Sequence, residues 1–150
     1  MRDLFSNVAV VATLSPAVYT ADQNGAAVDS HGFDSILHCV HVGTTGDTLS
    51  GSVKIDFKLQ DSDDGTTWYP VTRDLDVNQF TAAPYQAVDA NGIFLTIDSN
   101  SEDDAMFKIG YVGYRKYSRV VADFTGTHTN GIEIGMSVIK GHPLSLPVTV

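Results

Sequence analysis

Two acidic loops, a group of histidines around one cysteine and a scatter of aromatic residues are the places in this chain where residue type and spacing invite chemistry. Asp61-Ser62-Asp63-Asp64-Gly65 has the oxygen density of a calcium loop, but an EF-hand wants glycine sixth, glutamate twelfth and a helix on either side. Here Gly65 is fifth, Thr72 is twelfth and the flanks read as strands, so a turn closed by aspartate-to-backbone hydrogen bonds is expected instead. Asp98-Ser99-Asn100-Ser101-Glu102-Asp103-Asp104 is the better place for a hard cation, because several oxygens converge from one loop; solvated loop charge is the simpler reading. His31, His38 and His41 flank Cys39, yet on an extended strand residues three apart point to opposite faces, so His38 and His41 do not suit one zinc ion. His128 and His142 stand in turn-like contexts.

Cys39 is the only cysteine, which excludes an intrachain disulfide and fits synthesis in a reducing cytoplasm. It reads as a small buried strand residue, since the sequence offers no family signature for the base and orienting partner that a thiolate nucleophile needs. Phosphate loops, dinucleotide fingerprints, nucleophile elbows and zincin helices do not occur. No catalytic residue, metal ligand or cofactor is therefore assigned and no enzyme is expected, although a hydrolase using two converging carboxylates stays open. Trp68, Tyr69, Phe94, Phe107, Tyr111, Tyr114 and Tyr117 are expected mostly in the core, with a carbohydrate groove as the alternative. Trp68, following the Asp64-Gly65 turn, is expected to anchor that core.

The elements that must carry these groups are strands. Val53, Ile55, Phe57 and Leu59 alternate with polar partners from Ser52 to Gln60, the period of a strand with one buried and one wet face. Asp64-Gly65 then supplies a hairpin turn, and Trp68, Tyr69 and Val71 begin the return. Further strands are expected at Val8 to Leu14, Ala17 to Thr20, Ser35 to Val42, Thr67 to Val71, Ile93 to Ile97, Ala105 to Val112, Lys116 to Phe124 and Ile132 to Lys140, separated by glycine-bearing turns. Short strands without a helical period imply an all-β fold, a single antiparallel β-sandwich or jelly-roll-like domain. In Ile132 to Val138 every second residue is apolar, with small or polar residues between. Lys116 to Phe124 puts Val120, Ala122 and Phe124 on one face and Tyr117, Arg119, Val121 and Asp123 on the other, a mixture suited either to an interface or to a covering layer.

A chain of 150 residues suits one domain with its own core. Its net charge of −9 argues against nucleic acid or an anionic membrane as a partner. No run approaches the roughly 20 apolar residues of a membrane span, and Val8 to Leu14 is too short and lacks the basic flank of a secretory signal. The ends differ from the middle: residues 1–15 form an apolar N-terminal arm or edge strand closed by a Ser15-Pro16 break, residues 16–140 the sandwich, and residues 141–150, with two prolines, an extended C-terminal tail.

Two stretches, Gly46 to Trp68 with its LSGSVKIDFKLQDSDDGTTW run and Lys108 to Phe124, resemble small virion proteins of tailed bacteriophages and related gene-transfer particles. The resemblance implies a structural protein of the head, a decoration or cement protein on the capsid surface, made and assembled in the host cytoplasm. Its implied partners are the major capsid protein and further copies of itself. A head spike or fibre base, a tail-associated β-sandwich and a carbohydrate-binding module are the alternatives. Attachment is then expected through the apolar ends and the mixed face, at Leu4, Phe5, Tyr117, Arg119, Leu144, Leu146 and Val148.

Overall fold

A computed structural model describes residues 3–148. Eleven strands follow in order: β1 Val8–Tyr19, β2 Gln23–Asn24, β3 Val28–Asp29, β4 Phe33–Thr45, β5 Lys54–Ser62, β6 Tyr69–Pro70, β7 Val77–Asn78, β8 Ile93–Ile97, β9 Ala105–Tyr111, β10 Tyr117–Thr125 and β11 Ile132–Pro143. The only helical pieces among the described residues are 3-10 turns at Phe5–Asn7 and Asp74–Asp76. Sheet A runs β1-β11-β4-β9-β7, and sheet B runs β2-β10-β5-β6, with β3 also on β10 and β8 on β5. All pairings are antiparallel. The architecture is the expected β-sandwich.

Period-2 alternation decides which residues enter the core. Ile36, Val40 and Val42 of β4 point inward beside Met136 and Val138 of β11 and Phe107 and Ile109 of β9. Sheet B answers with Ile55, Phe57 and Leu59 of β5, Val120 and Ala122 of β10, and Leu95 and Ile97 of β8, all buried. Two polar bridges cross this layer. His38 Nε2 lies 2.8 Å from Ser118 Oγ, both side chains buried, and Tyr111 donates its hydroxyl to Asp61 Oδ2 at 3.0 Å. Burial lowers the His38 pKa from 6.5 to about 4, so the ring is neutral at pH 7. Burial pushes the Asp61 carboxyl up, against the Tyr111 hydrogen bond and the Arg115 guanidinium, which favour its ionised form.

The long strands fall where alternation places them, and the departures have local causes. The two strands expected on either side of Ser15-Pro16 are one: β1 continues through the proline with register slips between Ala12 and Leu14 and between Leu14 and Ala17. Proline is tolerated there because β1 is an edge strand and the slips absorb its missing N–H. The arm boundary expected after residue 15 thus lies inside β1, and that after residue 140 lies inside β11. The return strand of the hairpin is only β6, pairing Gln60 with Pro70 and Asp61 with Tyr69. Gly65 takes a φ of +73°, as the turn requires, but the Asp64 carboxylate then accepts from the N–H groups of Thr66 and Thr67, widening the loop. Trp68 is only half-buried and lies outside the core; that expectation is corrected, and Phe57 and Phe94, with no exposed surface, fill the role instead.

Candidate functional site

The outer faces of the two sheets are built from residues interleaved with the core positions, and they differ in chemistry. Across sheet A the register sets Val10, Ile139, Leu37 and Gly110 in one row and Ala12, Ser137, Cys39 and Lys108 in the next. Val8, Gly141 and Ser35 form a third row, and Gly135, His41 and Met106 a fourth. Lys108 is the one formal charge in these rows. Val10 and Met106 are 61% and 68% exposed. A groove of about 420 Å³ opens on this face between β4, β9 and the segment after β7, with Leu37, Phe80, Lys108 and Val112 in its lining. Lys108 Nζ sits 5.8 Å from the centre of the Phe80 ring, and Gln79 Oε1 is buried at the groove without a hydrogen-bond partner.

Across sheet B the corresponding rows are Arg119 with Gln60, Val121 with Lys58, Asp123 with Asp56 and Thr96, and Thr125 with Lys54. Both lysines and both carboxylates are paired within the sheet. Lys58 pairs with Asp123, Lys54 with Asp56 at 2.8 Å, and Thr96 Oγ1 donates to Asp56 Oδ1 at 2.6 Å. Arg119 donates through Nε to Gln60 Oε1 at 2.9 Å, and its guanidinium lies 4.2 Å over the Trp68 ring. Cations likewise cover one face of Tyr69 and of Tyr117, by Arg115 at 4.2 Å and Lys116 at 4.8 Å, so these aromatics are engaged as cation–π partners.

The residues singled out for attachment fall on two surfaces. Tyr117 and Arg119 belong to the ion-paired face of sheet B. Leu4, Phe5, Leu144, Leu146 and Val148 gather where β1 begins and β11 ends: the Val148 N–H donates to Ser6 O at 3.1 Å and the Leu144 N–H to Gly32 O at 2.9 Å. Phe5 is 90% exposed, and Leu4, Leu144 and Leu146 are exposed with it. The tail thus lies back along its own domain as far as Val148. Sequence reasoning missed the charge-poor rows of sheet A because it weighed strands singly; the signal was present in the small residues Gly135, Ser137 and Gly141 alternating with core positions of β11.

The groups considered for chemistry are spread apart. His38 faces the core and His41 the outside, as their spacing on one strand requires. Cys39 is buried, which pushes its thiol pKa up and away from nucleophilic reactivity. The acidic loops spend their carboxylates on backbone: Glu102 accepts from Asp98 and Ser99, Asp103 from Thr45, and Asp47 from Asn130 and Gly131. These bonds hold the Asp47 carboxyl below its ordinary range, and the Thr66 and Thr67 N–H groups do the same for Asp64. Among the described residues no three His, Cys, Asp or Glu side chains gather as a metal site, and no helix is long and apolar enough to cross a membrane.

No protein-family model and no curated protein matches the chain. Among solved structures, it is similar to the VP2 subviral particle of infectious bursal disease virus, at 14% identity and a TM-score of 0.27, below the level of a shared fold. That similarity covers 91% of this chain and 41% of the viral chain, so the chain spans less than half the length of that protein.

Proposed function

We propose that this chain is a non-enzymatic virion structural protein, a decoration or cement protein that docks on a lattice of major capsid subunits. The carrying observation is the charge-poor outer face of sheet A, where only Lys108 and Glu133 are charged, in a chain of net charge −9, set against an opposite face whose lysines and carboxylates are paired with one another. Burying the first face removes water from small and apolar side chains; burying the second would strip water from ion pairs that gain nothing new. The exposed apolar cluster of Leu4, Phe5, Leu144 and Leu146 extends the same sheet at the ends of β1 and β11 and adds contact area. The resemblance of Gly46 to Trp68 and Lys108 to Phe124 to small phage virion proteins supports the choice of a head lattice as partner.

Co-sedimentation of the purified protein with undecorated heads tests the reading, with Met106→Glu and a truncation lacking residues 144–150 in parallel. Saturable binding that both changes weaken supports it. Heads that bind none of the wild-type protein, or a wild-type chain that instead binds a cell-surface glycan, would overturn it.

A further inference from the structure

Among the described residues every sheet edge but one is either covered by a loop or ends in a strand of two residues. The edge strand β8 is covered by the loop before it, through Gln86 N–H to Phe94 O, Thr96 N–H to Pro84 O and a bridge between Tyr85 and Leu95. The exposed side of β9 is met by β7 and by the Tyr85 hydroxyl, which accepts from Lys108 N–H at 2.9 Å. On sheet B, β10 is finished by the two-residue strands β2 and β3. The exception is β1. It is 12 residues long, pairs on one side only, and carries no charged side chain from Val8 to Tyr19. Alternate N–H and C=O groups of such a strand point away from their sheet and remain a template for another strand.

The open part of that edge is short and bounded. Toward the N-terminus the 3-10 turn Phe5–Asn7 ends it. Toward the C-terminus the Ala26 N–H donates to Thr13 O at 2.8 Å, and the register slips begin after Ala12. What remains is Val8 to Ala12, in unbroken register with β11 and centred on Val10. We propose that this segment pairs with the same segment of a second copy, antiparallel about a two-fold axis at Val10. Val8 then faces Ala12, Ala9 faces Val11 and Val10 faces its own equivalent, and two five-stranded sheets become one continuous sheet. The charge pattern favours a second copy. A chain of net charge −9 repels itself over most of its surface, and an antiparallel self-pairing here brings no like charges opposite one another. Because antiparallel neighbours share a face, the charge-poor rows of both copies lie on the same side of the joined sheet.

Facing residues in antiparallel strands have Cα atoms about 4.5–5.5 Å apart, within disulfide reach. The test is mild oxidation of Val10→Cys and Val18→Cys, with light scattering of the wild type and Val10→Lys over a concentration series. The buried native Cys39 does not compete. The expected result is a wild-type dimer, rapid crosslinking through position 10, none through position 18, and dimer affinity at least tenfold weaker in Val10→Lys with an unchanged circular dichroism spectrum. If Val10→Lys fails to fold, the cysteine pair decides by itself. A wild type that is monomeric at every concentration, or crosslinking at position 18 as fast as at position 10, would overturn the proposal. A monomer whose attachment to heads depends on Val10 overturns it too, assigning the edge to a strand of the head while leaving the decoration reading intact. A Val10-centred dimer that binds no heads fails the decoration reading alone.

Discussion

Sheet A and sheet B share one core and turn opposite chemistries outward. On β5 and β10 nearly every outward residue is charged or hydrogen-bonded to a neighbour in the same sheet, so that face is finished as it stands. On β1, β11, β4 and β9 the outward rows are small, apolar or singly charged, and little on them would have to be broken for a partner to bind. The difference shows that total charge is a poor guide to where an acidic protein makes contacts. Many of the carboxylates are held in loops and local caps, and the face proposed for contact is the one where charge is sparse.

The largest effect that separates an outer face from the core concerns two aromatic rings. Phe94, with no exposed surface, should cost about 3–5 kcal/mol on truncation to alanine, whereas Trp68, lying against Arg119 on the outside of sheet B, should cost about 1 kcal/mol. Equal losses in denaturant unfolding would return Trp68 to the core.

Acidification probes the bridge between the sheets. The His38 pKa is lowered on folding, so between 6.5 and about 4 the unfolded chain binds the proton more readily, and stability falls as pH falls through that window. The loss should reach roughly 3 kcal/mol near pH 4. Asp61 works in the other sense: its raised pKa means the folded form takes up its proton first, which offsets part of the loss at the acid end. Unfolding of wild type and His38→Gln across this range checks the assignment; an equally steep pH slope in the variant would show that another group is responsible.

Asp56 is a nearly buried carboxylate on the outer face of sheet B, and Asp56→Ala leaves Lys54 and Thr96 without their acceptor, at about 2 kcal/mol. Met106→Glu, on the open face of sheet A, should change stability by less than about 0.5 kcal/mol. A comparable loss for both would erase the distinction between a finished face and an open one. The last comparison reads function. Met106→Glu should weaken attachment to heads about tenfold, or about 1.4 kcal/mol, while Thr125→Glu on sheet B leaves occupancy within about twofold. If the two changes act alike, the contact face has been misplaced.

How much was legible beforehand depends on the range over which each property is determined. Alternation in Ser52 to Gln60 and Ile132 to Val138 is a property of neighbouring residues, because successive side chains of a strand must point to opposite sides; strand type, the buried set Ile55, Phe57, Leu59, Ile134, Met136 and Val138, and the sandwich class all follow from it. The Asp64-Gly65 turn was local in the same way. Trp68 was not: whether a large ring enters the core depends on how far the loop before it swings, and the Asp64 caps and Arg119, distant in sequence, set that. Nor could the sequence alone show that Ser15-Pro16 passes through an edge strand, since an edge exists only once the neighbours of β1 are known. The proposed contact surface lies at this second level. Val10, Ile139, Leu37 and Gly110 come from four separate strands, and their row of uncharged side chains is a product of register, which the pairing of distant strands decides.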